Sequence, residues 1–142
     1  MFHFQLVSLS GKKFDDEVHE VVLPTLDGEI GVLQDHMPLV SVATNGAVMI
    51  RRNQKDSDAQ REYFAVNGGA IEVADNNLRV LVDEADHADE LNEAEVQKAL
   101  ERAEKMKLEA KDEISLERAQ TLIDRQAVRL QVAGLKRRHH RQ

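Results

Sequence analysis
The hydrophobic period of this chain changes once, near residue 88, from about two residues to about 3.6, which are the repeats of a strand and a helix. Before that point Phe2, Phe4 and Leu6 alternate with polar positions, as a strand with one buried face requires. After it Val96, Ala99, Ala103, Met106 and Ala110 recur at helical spacing. A chain of 142 residues that switches period once holds a strand-built unit followed by a helical one. The class is therefore α+β, with an N-terminal β-sandwich or barrel over residues 1–87 and a C-terminal antiparallel two-helix hairpin over residues 88–142.

Turn signals divide the first part into short strands, the mark of a sandwich or barrel. Asn45-Gly46 between two apolar runs predicts a tight hairpin. Residues 51–60, with Asn53, Asp56, Ser57 and Asp58, read as a longer exposed loop. Asn67-Gly68-Gly69 reads as a break between strands, and Asn76-Asn77 as a turn into Leu78. Asp83, Glu84, Asp86, Asp89 and Glu90 form an acidic linker to the helices. With aromatics at 4%, the core is expected to be aliphatic.

The helical part carries its own punctuation. Asn92 with Glu95 three residues on forms a variant of the capping box, and Leu91 with Val96 forms a hydrophobic staple. Glu101 with Lys105, and Glu104 with Lys107 or Lys111, stand at ion-pair spacing. The pattern breaks at residues 112–115, where Ser115 is the expected cap of a second helix lined by Leu116, Ala119, Ile123, Ala127 and Leu130. Leu122 and Ala133 stand beside that line. Alanine dominates both seams, so the helices approach closely while burying little area, and a hairpin able to open is physically reasonable.

Charge is divided between the two parts. Residues 1–87 carry seven Lys+Arg against fifteen Asp+Glu, a net −8, and the remainder is +1. From Arg118 onward there are seven basic residues and a single acid, Asp124, so this end seeks an anionic partner. The acidic first part and the lack of interleaved aromatics exclude nucleic acid, which leaves an acidic protein surface for Arg118, Arg125 and Arg129. The absence of cysteine excludes disulfides and thiolate chemistry and fits a reducing compartment. The opening residues alternate, with no basic start and no continuous apolar run, so they read as a strand of a soluble, cytosol-facing protein, not as a signal peptide. No catalytic set is present: His36 beside Asp35 has no nucleophile near it, and no phosphate-cradling glycine loop occurs. His139-His140 in the basic tail reads as solvated, not as a metal site.

One stretch organises the rest. Asp27-Gly28 is a turn pair, Gly31 allows a second close approach, Ile30, Val32 and Leu33 are apolar, and Gln34-Asp35-His36 face outward before Pro38. By physics alone this is a connection between strands. The run Gly-Glu-Ile-Gly-Val-Leu-x-x-His-x-Pro-Leu over residues 28–39 resembles the signature loop of the epsilon subunit of rotary, proton-driven ATP synthases. There Pro-Gly or Pro-Asn usually follows the leucine, where this chain has Gln34-Asp35. Residues 66–85, with Gly-Gly, an apolar-Glu-Val step, a turn and a closing Val-Leu-Val strand, resemble that family's second signature. Arg118-Ala119, Arg125 and Arg129-Leu130 resemble its last helix.

The resemblance implies a non-catalytic rotor subunit of the central stalk. It would couple rotation of the c-subunit ring to ATP synthesis and inhibit ATP hydrolysis through its C-terminal helices. Its partners would be the gamma subunit, the c ring and the beta subunit. It would be a peripheral protein on the cytoplasmic face of the bacterial cell membrane, held there only through the complex. Carried over, Glu29 and His36 fall on the loop that meets the c ring, and Arg118, Arg125 and Arg129 on the helix that meets the beta subunit when extended. Some members bind ATP through Ile/Leu-Asp-x-x-Arg-Ala at the first helix, but here that place reads Leu91-Asn92-Glu93-Ala94-Glu95-Val96. Arg102, Arg125 and Arg129 stand at the assisting positions, yet Glu95 sets a carboxylate where a cation would meet phosphate, so no cofactor is expected. The competing reading is a free-standing adaptor whose hairpin docks an acidic protein.

Overall fold
The computed structural model describes residues 1–140, and their side chains as far as Lys136. Eight strands come first: β1 (Phe2–Ser8), β2 (Gly11–Val18), β3 (Glu20–Thr25), β4 (Gly28–Val32), β5 (Leu39–Ala43), β6 (Gly46–Arg51), β7 (Glu62–Ala74) and β8 (Asn77–His87). Two helices follow, α1 (Glu93–Glu109) and α2 (Glu113–His140). The strand order is β2-β1-β8-β7-β5-β3-β4, with β6 paired to β3 and β7. β1 runs parallel to β8, and the other pairs are antiparallel. This is the β-sandwich followed by packed helices that the change of period predicts.

Alternation sets the inner face. Phe2, Phe4 and Leu6 of β1 point inward, and β2 contributes only Phe14 and Val18, its other positions being charged or exposed. Such charges on an edge strand oppose pairing with a further strand. The core adds Leu23, Ile50, Ile71, Leu78 and Val80, all at 1% exposure or less. It is less purely aliphatic than expected, because all four phenylalanines are buried. Phe4, Phe14 and Phe64 stack in sequence at centroid distances of 5.4 and 6.3 Å, the second pair edge-on.

Four local expectations are corrected. Asn45-Gly46 is not a hairpin. β5 and β6 keep one register against β7, from Leu39 opposite Val73 to Ala43 opposite Gly69, then from Gly46 opposite Val66 to Ile50 opposite Glu62. Neither Asn45 nor Gly46 has the positive φ that a two-residue hairpin turn needs. A Cβ on Gly46 would lie 2.8 Å from Cβ of Pro24, so glycine here admits the neighbouring strand. The hairpin is instead β6–β7, closed by the exposed loop expected over residues 51–60.

Asn67-Gly68-Gly69 does not end a strand either. β7 runs through it in constant register with β8, and a Cβ on Gly69 would stand 2.0 Å from the Leu81 carbonyl oxygen. The acidic stretch 83–87 is not a linker but the end of β8, with Glu84 opposite Asn67 and Asp86 opposite Ala65. The turn into β8 is Asp75-Asn76, at φ 50° and 60°, one residue earlier than expected.

The helices cap as follows. The Asn92 side chain accepts from the Glu95 amide, as expected. The second cap is Asp112 instead of Ser115: its Oδ1 accepts from the Ser115 amide at 2.7 Å, which holds the Asp112 carboxyl below its ordinary range. α1 buries Val96 and Ala103 against α2, which buries Ala119, Gln126 and Ala133, while Leu116 and Ala127 are exposed. The reason is that α2 serves two neighbours, since Val128 and Val132 turn to the sandwich and pack with Tyr63, Ala65 and Ala88. A helix shared between two surfaces has two narrow stripes, so the expected line keeps buried Ala119 and half-buried Ile123 and Leu130 but loses Leu116 and Ala127. On α1, Glu101 accepts from Gln97 and Lys107 donates to Gln120, and the expected ion pairs along α1 do not form among the described residues.

Candidate functional site
The loop after β4 is the first candidate surface. Gly28 adopts φ 108°, as its turn requires, but nothing approaches Gly31, so the second close approach is absent. Glu29 is exposed on β4 opposite Pro24 and makes no ion pair among the described residues. His36 follows in the loop between β4 and β5, with Nδ1 2.7 Å from the Met37 carbonyl oxygen. The His36 amide donates to the Leu33 carbonyl at 3.3 Å, which closes a turn with Asp35 at φ 63°. Glu29, exposed, and His36, half-buried, therefore belong to consecutive segments, β4 and the loop after it. Among the described residues no hydrogen bond or ion pair joins the two.

The second candidate is the underside of α2. Arg125 and Arg129, one turn apart, both reach β8: Arg125 Nε lies 3.2 Å from Glu84 Oε2, and Arg129 Nε 3.2 Å from Asp86 Oδ2. Lys136 adds a third pair, its Nζ 3.0 Å from Asp89 Oδ1. The basic helix is thus answered by the acids that end β8, and two of the three predicted arginines are already paired within the chain. Arg118 is exposed and forms no ion pair among the described residues. His139 and His140 have side chains outside the described residues.

The end of β8 is also held by polar contacts. His87 closes β8 with Nδ1 accepting from the Asp89 amide at 3.0 Å and Nε2 3.2 Å from Glu62 Oε1. Glu62 also receives Arg52, whose guanidinium lies 4.7 Å above the Phe14 ring. These carboxylates, Glu62 before Asp16, raise the Arg52 pKa further and keep it charged.

Sequence reading missed a third surface. Val42, Ala70, Leu81 and Val7 stand side by side across β5, β7, β8 and β1 on the outer face. Val42 is 53% exposed, Leu81 44% and the adjacent Val40 82%. The available signal was that β5, Leu-Val-Ser-Val-Ala, is apolar on both faces, unlike an antiparallel strand with one wet side. Among the described residues no group of three or more metal-ligating side chains forms, and no helix is long and apolar enough to cross a membrane.

Comparison with known proteins places this geometry. The family model for the ATP synthase delta/epsilon chain, β-sandwich domain, matches residues 1–88. The ATP synthase epsilon chain of Halalkalibacterium halodurans is 34% identical over 133 residues, covering 93% of this chain and 96% of that one. The epsilon chain of Chloroflexus aggregans is 33% identical over 140 residues, 99% of this chain and 97% of its own. Among solved structures, a chain of the Tetrahymena thermophila mitochondrial ATP synthase central stalk and c ring superimposes with a TM-score of 0.57. It has 16% identity and covers 97% of this chain and 95% of that one. A chain of the Euglena gracilis mitochondrial enzyme gives 0.71 at 21% identity, covering 85% and 74%; at such identity both show the fold. The chain belongs to the ATP synthase epsilon-chain family and is a non-catalytic subunit of that enzyme.

Proposed function
We propose that this subunit couples rotation of the c ring to ATP synthesis through its sandwich, residues 1–87, and restrains ATP hydrolysis through its hairpin, residues 88–142. The loop with Glu29 and His36 meets the polar loops of the c subunits. The outer apolar row of Val40, Val42 and Leu81 is the face for gamma, because an exposed row of this kind on a sheet calls for a protein cover. The complex holds the subunit at the cytoplasmic face of the bacterial cell membrane.

The observation that carries the regulatory half is the way the hairpin is seated. It rests on a small apolar cluster around Val128 and Val132 and on three ion pairs to β8 and the turn after it, outside the main core of the sandwich. A seat of this kind can open without unfolding the sandwich. In the extended state Arg118, Arg125 and Arg129 face the beta subunit, where desolvation strengthens the same charges. Since Arg125 and Arg129 are paired in the docked state too, the extended state gains only the difference between two acidic partners. ATP hydrolysis by the complex, with and without residues 88–142, tests the proposal: the truncated form is expected to hydrolyse faster while still assembling. Equal rates would remove the inhibitory role. Cysteines at Glu29 or His36 are expected to cross-link to a c subunit, and cross-links to alpha or beta alone would displace the loop from the ring.

A further inference from the structure
The turn that bears Asp35 is built against its own backbone preference. Its third residue sits at φ 63°, a region in which glycine is the usual choice and Asp or Asn stands only with polar support. The same holds one strand away, where Asn76 occupies the second position of the β7–β8 turn at φ 60°, a place that also favours glycine. Two neighbouring departures from the easiest residue call for a shared compensation, and the structure contains one. The Asp35 amide donates to Asn76 Oδ1 at 2.7 Å, and Asn76 Nδ2 donates to Asp35 Oδ1 at 3.1 Å. The Asn76 carbonyl in turn accepts from the His3 amide at 3.0 Å, which ties the turn to β1. Asn76 thus links three segments, 41 residues away from the loop it holds.

We infer that Asn76 is the positioning residue of the loop carrying His36. Its side chain replaces, from outside the loop, the stiffness that Gln34-Asp35 does not supply locally. Gln34 leaves φ free where proline would fix it, and Asp35 occupies the left-handed region only at a cost. With the reciprocal pair in place His36 is presented in one position. Without it the loop samples several, and ordering it is left to the partner. The consequence for docking rests on the reading that this loop meets the c ring, whereas the consequence for loop order does not.

The test uses the full chain and separates the two. In Asn76→Gly the turn keeps its φ with less strain, so the denaturation midpoint is expected to stay or rise slightly. Exchange of the Asp35 amide is nevertheless expected to quicken about tenfold, as loss of one well-formed hydrogen bond implies, with lowered order parameters over residues 34–37. Asp35→Asn keeps both bonds and is expected to behave as the parent. Asp35→Gly relieves the strain but deletes one bond, and is expected to retain intermediate protection of its amide. Unchanged exchange and order in Asn76→Gly overturns the inference. In the assembled complex, a cysteine at His36 is expected to cross-link to a c subunit about fivefold more slowly in the Asn76→Gly background, because the loop must then be ordered on contact. Absence of cross-linking in the parent, alongside a loosened loop in Asn76→Gly, would refute the ring contact and leave the positioning role standing.

Discussion

Removing the carboxylates of the hairpin seat is expected to shift the hairpin toward its open form by a modest, calculable amount. The perturbation is Glu84→Gln with Asp86→Asn, which keeps shape and removes both charges facing Arg125 and Arg129. Each Nε lies 3.2 Å from its carboxylate oxygen but is buried without a hydrogen bond, so the attraction is Coulombic and not a bidentate clasp. Arg129 and Asp86 retain 28% and 27% exposure, and Glu84 is more open still, which places both pairs within reach of solvent screening. Pairs of this kind contribute up to about 1 kcal/mol each, and the imperfect geometry argues for about half that. The double variant should then lose about 1 kcal/mol, roughly a fivefold change in the open-to-docked ratio. Burial of Val128 and Val132 contributes more, at about 1.5–3 kcal/mol for each fully buried side chain, so the charges tune the seat and the apolar patch makes it. The chain has no cysteine, so a label pair at exposed Leu108 and exposed Lys13 reports the opening directly by distance measurement. Raising salt from about 0.05 to about 0.5 M should open the parent hairpin more than the double variant, which keeps only the Lys136–Asp89 pair for salt to screen. Adding Arg125→Gln and Arg129→Gln to the double variant should change little more, since their partners are already gone. Identical distance distributions in parent and double variant at every salt would refute an electrostatic contribution to the seat.

Three further outcomes follow from single sites. Gly69→Ala is expected to destabilise the chain by roughly 3 kcal/mol or more, read by urea denaturation, because its Cβ would enter the Leu81 carbonyl and φ is +144°. His3 is bonded to Asp15 and to Glu17, and these carboxylates raise its pKa above the ordinary 6.5. A raised value means that this tie stabilises β1–β2 fully below about pH 6.5 and fades as pH rises through the folded value. A His3→Gln variant should lose that dependence, and an imidazole titration midpoint at or below 6.5 would contradict it. The isolated chain is expected to bind ATP weakly or not at all, because Glu95 opposes phosphate, Asn92 is spent on the cap, and Arg125 and Arg129 are paired with Glu84 and Asp86. Calorimetry giving a dissociation constant near 1 μM, about −8 kcal/mol, would overturn this.

What could be read from the chain was whatever local periodicity and composition encode. The inward alternation of Phe2, Phe4 and Leu6, the exposed loop after Arg51 and the Asn92 cap depend on neighbours a few residues apart, and the structure has them as expected. Gly28 is legible as a turn residue, whereas Gly46 and Gly69 look like turn residues and serve another task. At Gly46 and Gly69 the constraint is a strand passing close by, from Pro24 and from Leu81, and no local pattern distinguishes that from a turn.

The sequence by itself determined the class, the single change of architecture and the family, since these rest on period, order of parts and two motifs. Only the tertiary structure decided what the charges do. A run of acids after a strand looks like a linker until β7 is found beside it, and Glu84 and Asp86 become the seat of a helix only because α2 folds back over β8. The pairing of Asp35 with Asn76 is likewise invisible along the chain. Contacts across 41 residues depend on how strands are ordered in space, and side-chain spacing carries no record of that order.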